Sequence, residues 1–398
     1  MSQEQYKTTG ISNPATLKCM LAFTFFMVIG FEMIMPLVVG QYVGIKGFSA
    51  TAVATALAIR RFSQQGLSPI SGALADRLSI KRMISFGVLL RAIGFIFLAN
   101  DSNYISLIIA MIVIGLGGAL FDVPLQTAIG KLTTEENRTK YYSLNNTVTG
   151  IGSAVGPLLG ALLLKLDFKF VCIGAAACFA VNFVITYFAM PNIVQSSPQN
   201  FGRGFLNVFK NPTFRLFLLV MIIFWLAAAQ IDITYPLRIQ NITGDEASIS
   251  VMYFIYAVVT MALQIPLITI LKKKFRNVEI VLIGMTVMAI SFVVTALTNG
   301  IIVFYFAVAL FTIGMLLTRP SQQSIVVEIA DEKNLGTYLG INSLSTAIGC
   351  GVGTIVGGRC YDYFINTTNS QYQWYIYVFI CLITFIGFLF VKKKGNNT

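Results

Sequence analysis

Seven ionisable side chains interrupt stretches that are otherwise almost free of charge: Glu32, Arg60, Arg61, Arg91, Asp122, Asp232 and Arg319. An unpaired charge in such surroundings costs several kcal/mol, roughly 2.5–3.5 on insertion scales. Residues kept at that cost pair with one another or face a wet cavity. The chain has no histidine, so a group that binds and releases a proton must be sought among the carboxylates. The same absence excludes a histidine-ligated metal site and a Ser-His-Asp triad. Burial raises a carboxyl pKa and a neighbouring arginine lowers it, so Glu32 near Arg60 or Arg61 suits reversible proton exchange. Glu32, then Asp122, then Asp232 are the proton-coupling candidates, with Arg60, Arg61, Arg91 and Arg319 as charge partners. A structural salt bridge is the competing reading for the acids, and snorkelling to an interface for Arg60 or Arg91.

The elements that must hold these residues follow from composition. Of 398 residues, 56% are hydrophobic and only 11% charged, against about 25% charged in soluble domains. Apolar runs such as Leu21–Val39, Phe170–Met190 and Ile280–Leu297 approach the 20 or so helical residues that cross a bilayer core of ~30 Å. A soluble enzyme, a nucleic-acid binder and a secreted disulfide scaffold are excluded, despite the net charge of +12 and the six cysteines. Those cysteines form no ligand-spaced cluster and read as small packing residues.

Cutting at charges and turn residues predicts twelve spans, near 18–42, 49–74, 82–100, 104–128, 143–164, 168–190, 213–237, 248–271, 278–298, 301–326, 337–358 and 372–391. With the amino terminus inside, the inner segments hold 19 Lys and Arg; the outer connections hold only Lys46, Lys165, Lys169, Arg238 and Arg359. Both termini are therefore cytoplasmic. The polar stretch 191–212 separates a six-helix bundle over 1–190 from a second over 213–398.

The halves repeat at a shift of 197 residues: Gly152, Gly156 and Gly160 fall on Gly349, Gly353 and Gly357, and Tyr141, Asn145 and Thr149 on Tyr338, Asn342 and Thr346. Each half also opens with an acid four residues before a proline, Glu32–Pro36 and Asp232–Pro236. Internal symmetry of this kind marks secondary transporters, with a substrate site near the midplane. Asp122 and Arg319 share the same shift, which makes them a candidate cytoplasmic gate pair.

Two motifs add direction. Gly72-Ala-Leu-Ala-Asp76-Arg77-Leu-Ser-Ile-Lys81-Arg82 lies on the inner side between the second and third spans. It resembles the signature loop of the major facilitator superfamily, with Ser79 where glycine is usual. The resemblance implies an all-α polytopic fold of two pseudo-two-fold-related six-helix bundles, and a role for Asp76 in holding one conformation. On the fifth span, Gly152-Ser-Ala-Val-Gly156-Pro157-Leu-Leu-Gly160-Ala161 combines close-approach glycines with a helix-bending proline. Its order resembles the antiporter motif of drug:proton exporters, with Ala161 replacing a final glycine. Symporters of the superfamily generally lack it. Arg60-Arg61-Phe62-Ser-Gln64-Gln65-Gly66, Leu90-Arg91-Ala92-Ile-Gly94-Phe95 and Gly115-Leu-Gly-Gly-Ala-Leu-Phe121-Asp122 resemble the MdtH type of multidrug-resistance transporter. The arginine many relatives carry on the fourth span would fall at Met111, so a relay through it does not carry over.

The resemblance implies a monomeric, multi-pass protein of a bacterial cytoplasmic membrane that needs no cofactor. It would use the proton gradient to export amphiphilic drugs, Phe31, Phe121, Trp225 and Tyr235 being candidates to line the substrate path. Aromatic residues at this density also serve as packing or lipid-facing groups. An exporter of an endogenous metabolite such as a siderophore or sugar is the alternative. No catalytic constellation, soluble lobe, nucleic-acid patch or filter loop points to another class.

Overall fold

The computed structural model describes residues 14–67, 79–100, 103–133, 135–191, 210–330, 335–367 and 370–395. Lipid cannot hydrogen-bond an exposed backbone, so a chain this apolar must satisfy its amides within helices. The described residues form α1 (Pro14–Val39), α2 (Ala50–Arg61), α3 (Ile80–Ala99), α4 (Tyr104–Leu132), α5 (Glu135–Leu164) and α6 (Phe168–Ala189) in the first half. The second half holds α7 (Pro212–Ala228), α8 (Thr234–Thr243), α9 (Ala247–Lys272), α10 (Asn277–Leu297), α11 (Ile301–Ile329), α12 (Leu335–Phe364) and α13 (Tyr372–Gly395). Eleven spans among the described residues are long and apolar enough to cross a membrane. The expected second span lies partly outside the described residues.

Sequence dictates several ends and breaks. Asn103 and Ser106 form a reciprocal capping box at the start of α4. Asn211 accepts from the amides of Thr213 and Phe214, with Pro212 opening α7. Where one continuous span was expected over 213–237, the helix tightens to a 3₁₀ turn over Ala229–Asp232 and restarts as α8. The cause is Pro236, which has no amide hydrogen to bond back to the carbonyl four residues earlier. The Tyr253 hydroxyl donates to the Ile231 carbonyl at 2.9 Å, satisfying an acceptor in the break. Both α1 and α2 end in π-helical turns, Gly40–Ile45 and Phe62–Gly66.

Packing divides the chain into two units, and their boundary is not the linker alone. The first comprises Met1–Met35 with Ile59–Gln199; the second comprises Pro36–Ala58 with Asn200–Thr398. The end of α1 and most of α2 therefore pack with the second unit, although the repeat assigns them to the first half. In the first unit α3 lies between α4 and α6. In the second, α10 packs on α11 and α13, and α7 on α12 and α13. The pairings of α3 with α4 and α6 and of α10 with α11 and α13 match under the 197-residue shift. So do the helix crossings: the Gly87 and Gly117 backbones meet between α3 and α4, and Gly284 and Gly314 meet between α10 and α11. A Cβ at Gly117 would stand 2.7 Å from the Gly87 carbonyl oxygen, and one at Gly314 2.7 Å from that of Gly284.

The core of the second unit is aromatic. Tyr235 is fully buried, with ring centroids 5.1 Å from Trp374, 5.2 Å from Phe311 and 6.0 Å from Phe292. Its hydroxyl shares a 2.7 Å hydrogen bond with Ser291.

Candidate functional site

The first unit carries a polar cluster in an otherwise apolar bundle. Arg91 on α3 is almost wholly buried, and its Nε donates to the Ile114 carbonyl of α4 at 3.2 Å. Its guanidinium stands 4.8 Å from the Phe121 ring centroid, 5.2 Å from Phe31 and 5.6 Å from Phe179. Three aromatic faces replace part of the hydration that the cation has lost. The Nη2 atom of Arg91 is buried without a hydrogen-bond partner among the described residues.

Arg60, at the end of α2, donates from Nη1 to Gln64 Oε1 at 3.0 Å. It also shares an aromatic face with Arg91, lying 5.2 Å from the Phe31 centroid. Gln64 in turn donates from Nε2 to Asp122 Oδ2 on α4. Arg60, Gln64 and Asp122 thus form a chain, and both Arg91 and Arg60 act electrostatically on the Asp122 carboxylate. The π-helical turn over Phe62–Gly66 contains Gln64; such turns often mark functional sites because they re-aim a side chain.

The glycines of α4 make room for this chain. A Cβ at Gly115 would stand 2.5 Å from the Arg60 carbonyl, and one at Gly117 2.7 Å from the Arg91 amide nitrogen. At Gly118 it would collide with the Arg91 guanidinium and lie 2.7 Å from Gln64 Cδ. The Gly115-Leu-Gly-Gly sequence therefore leaves the space that the Arg91 guanidinium and Gln64 occupy, Gln64 reaching Asp122.

Glu32 is half-buried on α1 and makes interactions of its own. It stands against the antiporter-like motif: a Cβ at Gly156 would lie 2.9 Å from Glu32 Cβ and 3.2 Å from the Ile29 carbonyl. Gly152 meets Val28 in the same way at 3.0 Å, and Gly152, Gly156, Pro157 and Gly160 are all buried. In the second unit Gly349 and Gly353 press on α7 beside Trp225 and Leu226.

The structure thus brings together Glu32's neighbour Phe31, Arg60, Arg91, Phe121 and Asp122 within one unit. Arg61 is half-buried beside Arg60. Asp232 and Arg319 belong to the other unit; Asp232 is half-buried in the 3₁₀ turn, and Arg319 is exposed on α11. Trp225 is buried in the second unit, as is Tyr235. Gly72, Asp76 and Arg77 of the signature loop lie outside the described residues. At its end, the Lys81 Nζ stands 5.6 Å from the Tyr187 ring centroid, and Arg82 is exposed.

Gln64 and Phe179 are the members that sequence reasoning did not single out. Gln64 had a signal, its position four residues after Arg60, which places both on one helix face. Phe179 had none beyond being aromatic.

The second repeat lacks the cluster. At the 197-residue shift, Arg60, Gln64, Arg91 and Phe121 are replaced by Ala257, Met261, Met288 and Thr318. Asp122 is replaced by Arg319; the repeat builds the same helix crossing without this cluster, so the fold does not require it.

The chain matches the model of the Major Facilitator Superfamily over residues 20–354 and 231–397. It is 31% identical over 362 residues to "Multidrug resistance protein MdtH" of Sodalis glossinidius, covering 91% of this chain and 89% of that protein. The protein of the same name from Escherichia coli (strain K12 / DH10B) is 29% identical over 372 residues, covering 93% and 92%. Among solved structures, nucleoside transporter NupG superposes with a TM-score of 0.81 at 14% identity, over 95% of this chain and 99% of that one. Peptide transporter POT in complex with sulfate gives 0.78 at 15% identity, over 95% and 94%. At these identities the structures speak to the fold alone.

Proposed function

Because the chain belongs to the major facilitator superfamily, in its MdtH type, and is a multi-pass transporter of a bacterial inner membrane rather than an enzyme, we propose that it exports amphiphilic drugs or related small molecules in exchange for protons. The observation that carries this reading is the Arg60–Gln64–Asp122 chain with Arg91, an ionic device present in one repeat and absent from the other.

An antiporter needs a group whose charge changes once per cycle. Asp122 as an anion accepts from Gln64 and is attracted by two arginines. Once protonated, it loses most of that attraction and loosens its hold on the Gln64 amide. Because Arg60 lies on α2, Gln64 in its π turn, Arg91 on α3 and Asp122 on α4, the change is felt by three helices at once. Glu32 is the second carrier in this reading. Its contact with Gly156 links its protonation to the α1–α5 crossing. Phe31 and Phe121 serve as the apolar walls on which the arginines rest, and the cargo binds by apolar contact. No cofactor enters; the proton gradient drives the cycle, and the protein works as a monomer.

Inverted membrane vesicles energised with a proton gradient provide the test. Ethidium, tetraphenylphosphonium and a fluoroquinolone are added in turn to wild type, Glu32→Gln and Asp122→Asn. Drug-induced proton release in wild type and its loss in Asp122→Asn are the expected results. Release that survives in Asp122→Asn but not in Glu32→Gln moves the carrier to α1. No response of wild type to any compound sinks the drug reading and favours a cellular metabolite as cargo.

A further inference from the structure

The outer ends of α1 and α2 pack against α8, α9 and α12 inside the second unit, and two carboxylates in this seam are treated very differently. Asp362, near the end of α12, is fully engaged: Oδ1 accepts from the Ala50 amide at 2.8 Å, and Oδ2 from the Thr51 amide at 2.8 Å and its hydroxyl at 2.5 Å. It caps the first turn of α2, where both the free amides and the helix end favour an anion. Glu246, in the connection between α8 and α9, has the opposite surroundings. Its side chain lies against the backbone of Gly40, where a Cβ would come within 2.8 Å of Glu246 Cγ, 3.2 Å of Oε1 and 2.6 Å of Ile249 Cδ1. Oε1 is buried with no hydrogen-bond donor among the described residues.

We propose that Glu246 is a proton-binding site of the outer seam, which takes a proton from the outer solution as the turn Gly40–Ile45 seats against it and returns that proton to the same side as the seam opens. The transfer is simple: hydronium and the Glu246 carboxylate give water and the neutral acid. Such a proton sets which way the seam moves and is not itself carried across the membrane. The proposal goes beyond proton-driven export and holds whichever carboxylate carries the transported ion.

The charges around Glu246 agree. On its own connection stands Asp245, whose Oδ1 accepts from the Ala247 amide at 2.9 Å and whose charge opposes a second anion. On the turn after α1, Lys46 lies over the Tyr42 ring, 4.4 Å from its centroid. On α8, Arg238 donates to the Thr298 carbonyl at 2.7 Å and to Asn299 at 2.9 Å. On α11, the Tyr305 hydroxyl donates to the Ser248 carbonyl at 3.4 Å. On α12, Tyr361 accepts from Asn241, and Asp362 is held by α2. Burial, reinforced by Asp245, pushes the Glu246 carboxyl from 4.5 up to about 7. A group raised in the closed seam binds protons more tightly there than in water. Closure is therefore fully favoured below about 4.5 and weakens as the outer pH rises to about 7.

Spin labels at Ile45→Cys and Tyr363→Cys, both exposed positions flanking the seam, would report its opening by pulsed dipolar spectroscopy. The full-length protein, without its six native cysteines, is measured in nanodiscs from pH 5 to pH 9. The expected result is a rise in the long-distance population between pH 5 and about pH 7 that levels off above 7, the open-to-closed ratio changing by roughly tenfold or more. Glu246→Gln should hold the seam closed at every pH, while Glu246→Asp keeps the transition. A transition that persists unchanged in Glu246→Gln, or no transition in the otherwise unaltered protein, overturns the proposal. Failure of the drug-export reading would show in the vesicle assay and leave this distance measurement untouched.

Discussion

Arg91 is held by three rings and one carbonyl, and the repeat supplies its natural control, because methionine occupies the matching place at Met288. Arg91→Met should therefore leave a folded, inserted protein. Lost cation–π contacts would cost about 1–2 kcal/mol in a desolvated site. Drug export in vesicles should fall by roughly tenfold or more, because Asp122 loses one of its two cationic neighbours. Gly118→Ala tests the same geometry from the other side: the added methyl group occupies the space of the Arg91 guanidinium and Gln64. We expect lower export with little change in expression. The charged members of this site were legible as ions inside apolar runs. Their pairing was not: Arg60 and Arg91 both rest on Phe31, and nothing in sequence spacing says which aromatic three helices will share.

At the scale of elements, glycine placement decides where helices cross. Valine at Gly117 would drive Cβ into the Gly87 carbonyl and the Arg91 backbone, and valine at Gly314 into Gly284 and Met288. Overpacking of this kind typically costs about 1–3 kcal/mol, and more where backbone rather than a flexible side chain must move. Thermal melting in detergent should show both variants destabilised. Gly156→Leu, which presses on Glu32, should lower proton release in vesicles more than it lowers the melting temperature. Helix number and order could be read from apolar run length, since lipid leaves the chain few other options. Interruptions within a span were harder. Pro236 breaks the seventh span into α7 and α8, whereas Pro124 and Pro157 sit inside continuous helices. In the broken span Tyr253 on another helix takes up the Ile231 carbonyl, a partner that a single span cannot reveal.

Across the whole molecule, the repeat was visible in the sequence as glycines and polar residues 197 positions apart, and the helix pairings bear it out. The assignment of Pro36–Ala58 to the second unit was not visible. It involves contacts distant in sequence, among them Asp362 with the start of α2, Glu246 with Gly40 and Gly358 with Ala50. Asp362→Ala would leave the Ala50 and Thr51 amides without their acceptor, a loss of about 1–3 kcal/mol. The same spin-label pair should then show more open seam at pH 5 than wild type.

The one-sidedness of the ionic cluster also bears on how such a pump changes under selection. In a duplicated bundle whose second copy lacks the Arg60–Gln64–Asp122 chain and Arg91, the export we propose ties one half to energy coupling and leaves the other free of it. If bacteria carrying this transporter are grown under rising doses of a compound it handles poorly, substitutions that extend resistance should accumulate in the second half. In the first, positions 60, 64, 91 and 122 should stay fixed. Sequencing of the evolved populations would show whether adaptation follows that division of labour.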